Sequence, residues 1–280
     1  MREIRRTVIR IAGKGTMKLG RIEISPVSAG YYWSDGGAAF GALPKVLWNK
    51  TVEADEKNRI RFQLSLLLIR ADGRNILIDT GCGNHLNEKQ IKIYSPSEFI
   101  LFQELDKLGL SRYDITDVIL THLHFDHAGG VISIIDGKRE LTFPNAIHHI
   151  QRKEWNMAEN PDELNQAAYM FEEQLSLLAS LGKYRLIDGL DNLTPEIQLR
   201  LTGGHTVGTQ VVCMESEGEF AVYAGDIIPS QPHLSLPVIS AYDVSREDTF
   251  RAKKSLLSEI RSKNGILLLN HDAIEFVIKV

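Results

Sequence analysis

Three imidazoles and a carboxylate fall within six consecutive residues of this chain. They are His122, His124, Asp126 and His127, in the run Thr121-His-Leu-His-Phe-Asp-His-Ala-Gly-Gly130. All four side chains are donors for borderline divalent metals such as zinc. So dense a cluster of polar groups has no sensible role in an apolar core. In an extended segment, residues two apart point the same way, so His122 and His124 can share one ion. Asp126 and His127 are adjacent and point away from that pair, which suits a second ion nearby. Gly129 and Gly130 let the backbone turn tightly behind them.

The elements that would position these groups are legible around them. Val118-Ile-Leu120 is a short apolar run ending at Thr121 and reads as a buried strand. Two ions need more ligands than four residues supply, and three candidates lie downstream. His205 sits in the glycine-rich loop Thr202-Gly-Gly-His-Thr-Val-Gly208, after the alternating strand Ile197-Gln-Leu-Arg-Leu201. Asp226 closes the strand-like run Phe220-Ala-Val-Tyr-Ala-Gly-Asp226, and His271 follows Ile266-Leu-Leu-Leu-Asn270. Each is a ligand-type residue where a strand gives way to a loop, a common place for a site.

These motifs resemble those of the metallo-β-lactamase superfamily, over most of the chain from about Ile22 to His271. The resemblance implies that His122, His124 and His205 hold metal 1, that Asp126, His127 and His271 hold metal 2, and that Asp226 bridges the two. Asp79, in Leu77-Ile-Asp-Thr-Gly81, matches the aspartate that orients a ligand in that superfamily; on residues alone it is a turn cap before Gly81. The implied fold is a mixed α/β (α+β) four-layer αββα sandwich with the metals at one edge. Zinc is the default ion, and the donor set also accepts iron, manganese or cobalt.

Two ions sharing a hydroxide provide a nucleophile near neutral pH and polarise a carbonyl or phosphoryl oxygen. The expected reaction is therefore hydrolysis, with Asp126 protonating the leaving oxygen. An Asp at 226 disfavours the commonest zinc β-lactamases, which have Cys there, and His124 disfavours the flavodiiron branch, which has Glu. A narrower similarity is to YtnP-like quorum-quenching lactonases. It rests on Asp35-Gly-Gly-Ala-Ala-Phe-Gly-Ala-Leu-Pro-Lys-Val-Leu-Trp48, on Phe143-Pro-Asn-Ala146, and on the segment from Gly225-Asp-Ile-Ile-Pro229 through His233 to Ala241-Tyr-Asp243. It implies opening of N-acyl-homoserine lactones. The better-known lactonases carry a carbonyl-polarising Tyr three residues after the bridging Asp, where this chain has Pro229. His233 or Tyr242 is expected to replace that donor. A phosphotriesterase or aryl esterase, or a phosphodiesterase, of the same fold is the alternative.

Length and composition bound the rest. The chain has 280 residues, 43% hydrophobic, with net charge −4. The ligand candidates span most of it, so residues 17–280 are expected to form one domain behind an N-terminal extension, 1–16, read as a solvated tail. A mildly acidic chain with no basic insertion gives no footing for nucleic acid. Cys82 and Cys213 give no disulfide framework and read as small packing groups. The basic N-terminus lacks an apolar core of a signal peptide, and no apolar run is long enough to span a membrane. The expected setting is cytoplasmic, the partner a small ester or lactone, with a homodimer left open.

Further along, residues 61–80 read as a hairpin turning at Asp72-Gly73. Ser95-Pro-Ser-Glu98 reads as a capping box opening a helix to about Leu108. Residues 161–181 read as one amphipathic helix, and 245–263 as another with Leu256, Leu257 and Ile260 inward. Alternation on 145–150 sends one of His148 and His149 into the core and the other to the surface, and His85 reads as a surface loop residue. Residues 31–58 show little periodicity but carry Trp33, Phe40 and Trp48. They are expected to form a loop that walls the substrate pocket.

Overall fold

The computed structural model describes residues 15–280; the expected N-terminal extension lies outside the described residues apart from its last two. In chain order the elements are β1 (Met17–Leu19), β2 (Ile22–Asp35), α1 (Gly36–Phe40), α2 (Lys45–Trp48), β3 (Arg59–Ala71), β4 (Arg74–Ile78), α3 (Glu88–Tyr94), α4 (Leu101–Asp106) and β5 (Asp117–Ile119). Then come α5 (Phe125–Ala128), β6 (Ile132–Ile135), β7 (Lys138–Leu141), β8 (Ile147–Gln151), α6 (Arg152–Glu159), α7 (Phe171–Gln174), α8 (Ser176–Leu181), β9 (Tyr184–Ile187) and β10 (Leu190–Thr194). The last are β11 (Ile197–Leu201), β12 (Gln210–Ser216), β13 (Glu219–Tyr223), α9 (Arg246–Ser262), β14 (Ile266–Leu268) and β15 (Val277–Lys279).

Strand alternation builds the layers. In β3, Leu66 and Leu68 pack with Leu101, Leu105 and Trp155 of the helices, whereas Leu67 and Ile69 pack against Val212 and Tyr223 of the other sheet. A second helical space forms where Val222 and Leu267 meet Leu256, Leu257 and Ile260 of α9. Three apolar spaces therefore separate four layers: helices, a sheet ordered β1-β2-β3-β4-β5-β8-β9, a sheet ordered β10-β11-β12-β13-β14-β15, and α9. This is the expected αββα sandwich. Strands β4, β5, β8 and β9 run parallel, so their C-terminal ends converge on one edge. The crossover through α9 makes β13 and β14 parallel too.

Several local expectations change. The stretch 31–58 is not one loop: its first residues complete β2, and α1 and α2 follow. The helix after Ser95 begins only at Leu101, because Ser97 Oγ accepts from Tyr31 N, 2.9 Å away, and ties the segment to β2. The capping box lies upstream, where Asn87 and Gln90 cap α3 reciprocally. The helix expected over 161–181 is broken: Asp162 holds a turn by accepting from Leu164 N and Asn165 N, and helix resumes only as α7 and α8. His148 and His149 are both buried, since β8 is an interior strand covered on both faces. His149 Nε2 lies 2.8 Å from Asp117 Oδ1. His85 is partly buried rather than exposed. Cys82 and Cys213 are buried and free, as expected.

Candidate metal centre

The motif begins where β5 ends. Asp79, at the end of β4, fixes the exit of the neighbouring strand: its Oδ1 accepts from Thr121 N at 2.8 Å and from Thr121 Oγ1 at 3.0 Å. Asp79 itself is left-handed, with φ +61°, a conformation Asp tolerates better than most residues. The backbone then runs extended through His124, which sits at the N-cap of the single-turn helix α5 carrying Asp126 and His127. Glycine is favoured at 225, where φ is +51° and a Cβ would press on Thr121 at 3.3 Å.

The fold brings all seven expected ligand residues together. Donor atoms of His122, His124 and His205 lie within 4.8 Å of one another, as do those of His122, His127 and Asp226, and those of Asp126, His127 and His271. Asp226 faces both sides: Oδ2 is 3.3 Å from His205 Nε2, while Oδ1 is 3.1 Å from His271 Nε2 and 3.3 Å from His127 Nε2. Asp126 Oδ2 is 3.4 Å from the Nε2 atoms of both His127 and His271.

The outer nitrogens explain why the inner ones converge. His127 Nδ1 lies 3.0 Å from Asp79 Oδ2, His205 Nδ1 lies 2.7 Å from Asp243 Oδ1, and His271 Nδ1 lies 2.8 Å from the Gln63 carbonyl. An N–H donated outward leaves the Nε2 lone pair pointing inward. His122 Nε2 is buried with no hydrogen-bond partner, and the Nε2 atoms of His127 and His271 stand 3.2 Å apart. Such nitrogens are costly to bury unless something accepts their lone pairs. Divalent cations held by these residues would do so, and the N and O donors suit them.

The electrostatics point the same way. Burial, reinforced by neighbouring imidazoles, holds His122 well below its ordinary value and brings His124 down to about 3, so both stay neutral donors. Burial opposes charge on Asp126 and Asp226, but His127 and His271 outweigh it and hold both carboxyls well below the usual range. Burial likewise opposes charge on His271, yet Asp226 and Asp126 push it up to about 9. Two ionised carboxylates therefore favour positive charge between them.

Above the cluster opens a cavity of about 770 Å³, lined by Tyr32, Phe62, Tyr94 and Phe125 on one side and by Leu164 and Val244 on another. Of the pocket residues expected from sequence, Tyr242 lines it, with its hydroxyl 3.0 Å from Ser34 Oγ. His233 does not. It is buried against Phe40, with Nε2 2.9 Å from the Ala39 carbonyl and Nδ1 2.7 Å from Ser230 Oγ, so it holds the loop rather than facing the cavity. Trp33, Phe40 and Trp48 are also absent from the lining. Phe40 and Trp48 stack on each other in the core, and Trp33 lies under Arg59.

Three contributors were not expected. Tyr32 donates to Asp126 Oδ2 at 2.8 Å. Asp243 orients His205. Glu154, at the start of α6, accepts from Leu123 N at 2.9 Å, Gly208 N at 3.1 Å and the Tyr169 hydroxyl at 2.9 Å, joining the two loops that carry His124 and His205. Only Asp243 had a sequence signal, its place in the Ala-Tyr-Asp run.

Sandwich, edge and donor set define a metallo-β-lactamase-type protein. The chain belongs to the metallo-beta-lactamase superfamily, whose family model matches residues 60–271. Within it, an N-acyl homoserine lactonase from a Bacillus species is 30% identical over 161 residues, 54% of this chain and 57% of that protein. The chain thus spans less than two thirds of the length of that relative. A probable metal-dependent hydrolase from Staphylococcus aureus has TM-score 0.88 at 32% identity, covering 93% of each chain. AidC, a dizinc quorum-quenching lactonase solved with a product, has TM-score 0.73 at 24% identity over 95% of this chain and 92% of that one, a likeness of fold. No helix among the described residues is long and apolar enough to cross a membrane.

Proposed function

We propose that this protein is a two-metal hydrolase, with zinc as its ion, that opens N-acyl homoserine lactones and so acts in quorum quenching. The observation that carries the reading is Asp226. Its two oxygens face two separate histidine groups beneath a cavity with an aromatic wall. The similarity to lactonases of the superfamily supports the choice of substrate.

In this reading His122, His124 and His205 would hold one ion, Asp126, His127 and His271 would hold the other, and Asp226 would be shared between them. When bound, such ions supply a nucleophile from water near neutral pH and draw electron density from an ester carbonyl. The chain does the rest. Asp79, Asp243 and the Gln63 carbonyl keep three ligand imidazoles in one tautomer. Tyr242 donates from the cavity wall to the substrate carbonyl, the role the sequence left between it and His233. Asp126 moves a proton to the leaving ring oxygen. The aromatic wall takes the apolar acyl chain.

The test is a substrate panel on zinc-loaded protein, following proton release from N-hexanoyl homoserine lactone beside an aryl phosphotriester and a bis-aryl phosphate. Lactone turnover is expected to exceed both phosphorus esters at least tenfold and to vanish with metal loading in His124→Ala. A preference for either phosphorus ester would transfer the assignment to it.

A further inference from the structure

Ring opening of a lactone breaks the acyl C–O bond as water oxygen adds to the carbonyl carbon. The ring oxygen departs with the bonding pair and takes a proton to become a hydroxyl. An alkoxide is a strong base, so a second donor at that oxygen lowers the barrier. Pro229 has no side-chain donor, and both nitrogens of His233 are engaged away from the cavity.

The lining offers hydroxyl or amide donors at Tyr32, Ser34, Tyr94, Asn165, Tyr242 and Ser245. Among these, Tyr32 is the one hydrogen-bonded to a member of the metal-binding cluster, and its partner is Asp126 Oδ2. That oxygen is also the one facing the Nε2 atoms of His127 and His271. The phenol is rigidly held. Tyr32 is 5% exposed, pairs with Phe62 across β2 and β3, and meets the rings of Phe62, Phe125 and His271 edge-on.

We propose that Tyr32 is a catalytic residue: as Asp126 takes up the proton released by the attacking water, the single O–H of Tyr32 turns from Asp126 Oδ2 to hydrogen-bond the leaving ring oxygen of the lactone, and Asp126 then delivers its proton to that oxygen. The proposal rests on the lactonase reading above. It separates two tyrosines by role: Tyr242 at the carbonyl oxygen and Tyr32 at the ring oxygen.

Tyr32→Phe removes one oxygen and keeps the ring that fills the cage. On zinc-loaded protein, kcat for N-hexanoyl homoserine lactone is expected to fall about 100-fold, the usual effect of losing one such donor, with KM within about threefold. Metal content stays at two ions per chain. The matching thiolactone is the discriminating substrate, because a thiolate, with a thiol pKa near 8.5, leaves without that help. Its kcat is expected to fall less than about tenfold. Unchanged lactone kcat overturns the proposal. So do equal losses on lactone and thiolactone, and so does loss of an ion, which would make Tyr32 a support for Asp126. Each of these leaves the lactonase reading standing. A wild-type protein that opens no lactone refutes that reading, and the role of Tyr32 with it.

Discussion

Replacing Asp79 by Asn tests whether the outer hydrogen bonds set the inner lone pairs. Asp79 presents two acceptor oxygens to two donors in different directions: Oδ1 to Thr121 N at 2.8 Å and Oδ2 to His127 Nδ1 at 3.0 Å. The amide keeps the shape and tolerates the left-handed φ of +61°, but it has a single acceptor oxygen. With that oxygen toward Thr121 N, the NH2 faces His127 Nδ1. His127 must then carry its proton on Nε2, the atom 3.2 Å from His271 Nε2 and turned into the site. Loss of such a partner typically weakens metal affinity 10–100-fold, or about 1.4–2.8 kcal/mol. With the amide reversed, Thr121 N loses its acceptor in a buried setting, costing about 1–3 kcal/mol of stability and a few degrees of melting temperature. Zinc competition against a graded series of chelators reads the first cost, and thermal melting of the chelated protein reads the second. One of two ions is expected to weaken while the other holds. Two ions bound with wild-type affinity, together with an unchanged melting temperature, would refute the reasoning.

Acid should destabilise the protein through histidines outside the metal centre. Burial brings His148 and His233 each down to about 4, against an unfolded value near 6.5. Between those values the unfolded chain binds protons that the folded chain does not, so stability falls as pH drops from about 6.5 to 4. Each histidine contributes up to about 3 kcal/mol. Urea midpoints across this range should fall less in His233→Gln, and an identical pH slope in that variant would exclude His233 as a source. At Gly208 an added Cβ would meet Glu154 N at 2.3 Å and Glu154 Cα at 2.6 Å. The start of α6 cannot retreat, because the Glu154 carboxylate is tied to Leu123 and Tyr169. Gly208→Ala is therefore expected to cost about 2–3 kcal/mol and to displace His205. A wild-type urea midpoint would show that the contact relaxes.

The candidate metal-binding cluster was legible because its information is local. His122 to His127 are spaced for one strand end and one helical turn, and His205, Asp226 and His271 each follow a run with clear strand character. The layers were legible for the same reason, since alternation in β3 and the apolar runs of β13 and β14 declare which faces are buried. What failed depended on neighbours. The helix pattern over 161–181 is real as a pattern, yet Asp162 caps a turn there and the segment walls the cavity. Ser95 to Glu98 has capping-box residues, but Ser97 is taken by the backbone of β2. His148 and His149 are both buried because β8 is covered on both faces, and nothing within β8 says so.

Trp33 lies away from the cavity for one identifiable reason, a bulge. In β2, Val27 and Ala29 face the helical layer, and strict alternation from them carries Trp33 to the same face. The β2–β3 register shifts between Ser28 and Tyr31, and one extra residue in a strand exchanges its faces from that point on. Beyond the shift, Tyr32 and Ser34 point into the cavity, and Trp33 turns outward to Arg59. Gly30, with φ +106° and a Cβ position that would fall 2.2 Å from Ser97 Oγ, makes the shift sterically possible. The consequence reaches the chemistry. Without the bulge an indole would face the cavity and no hydroxyl would meet Asp126. With it, β2 supplies both the phenol on Asp126 and the serine that holds Tyr242.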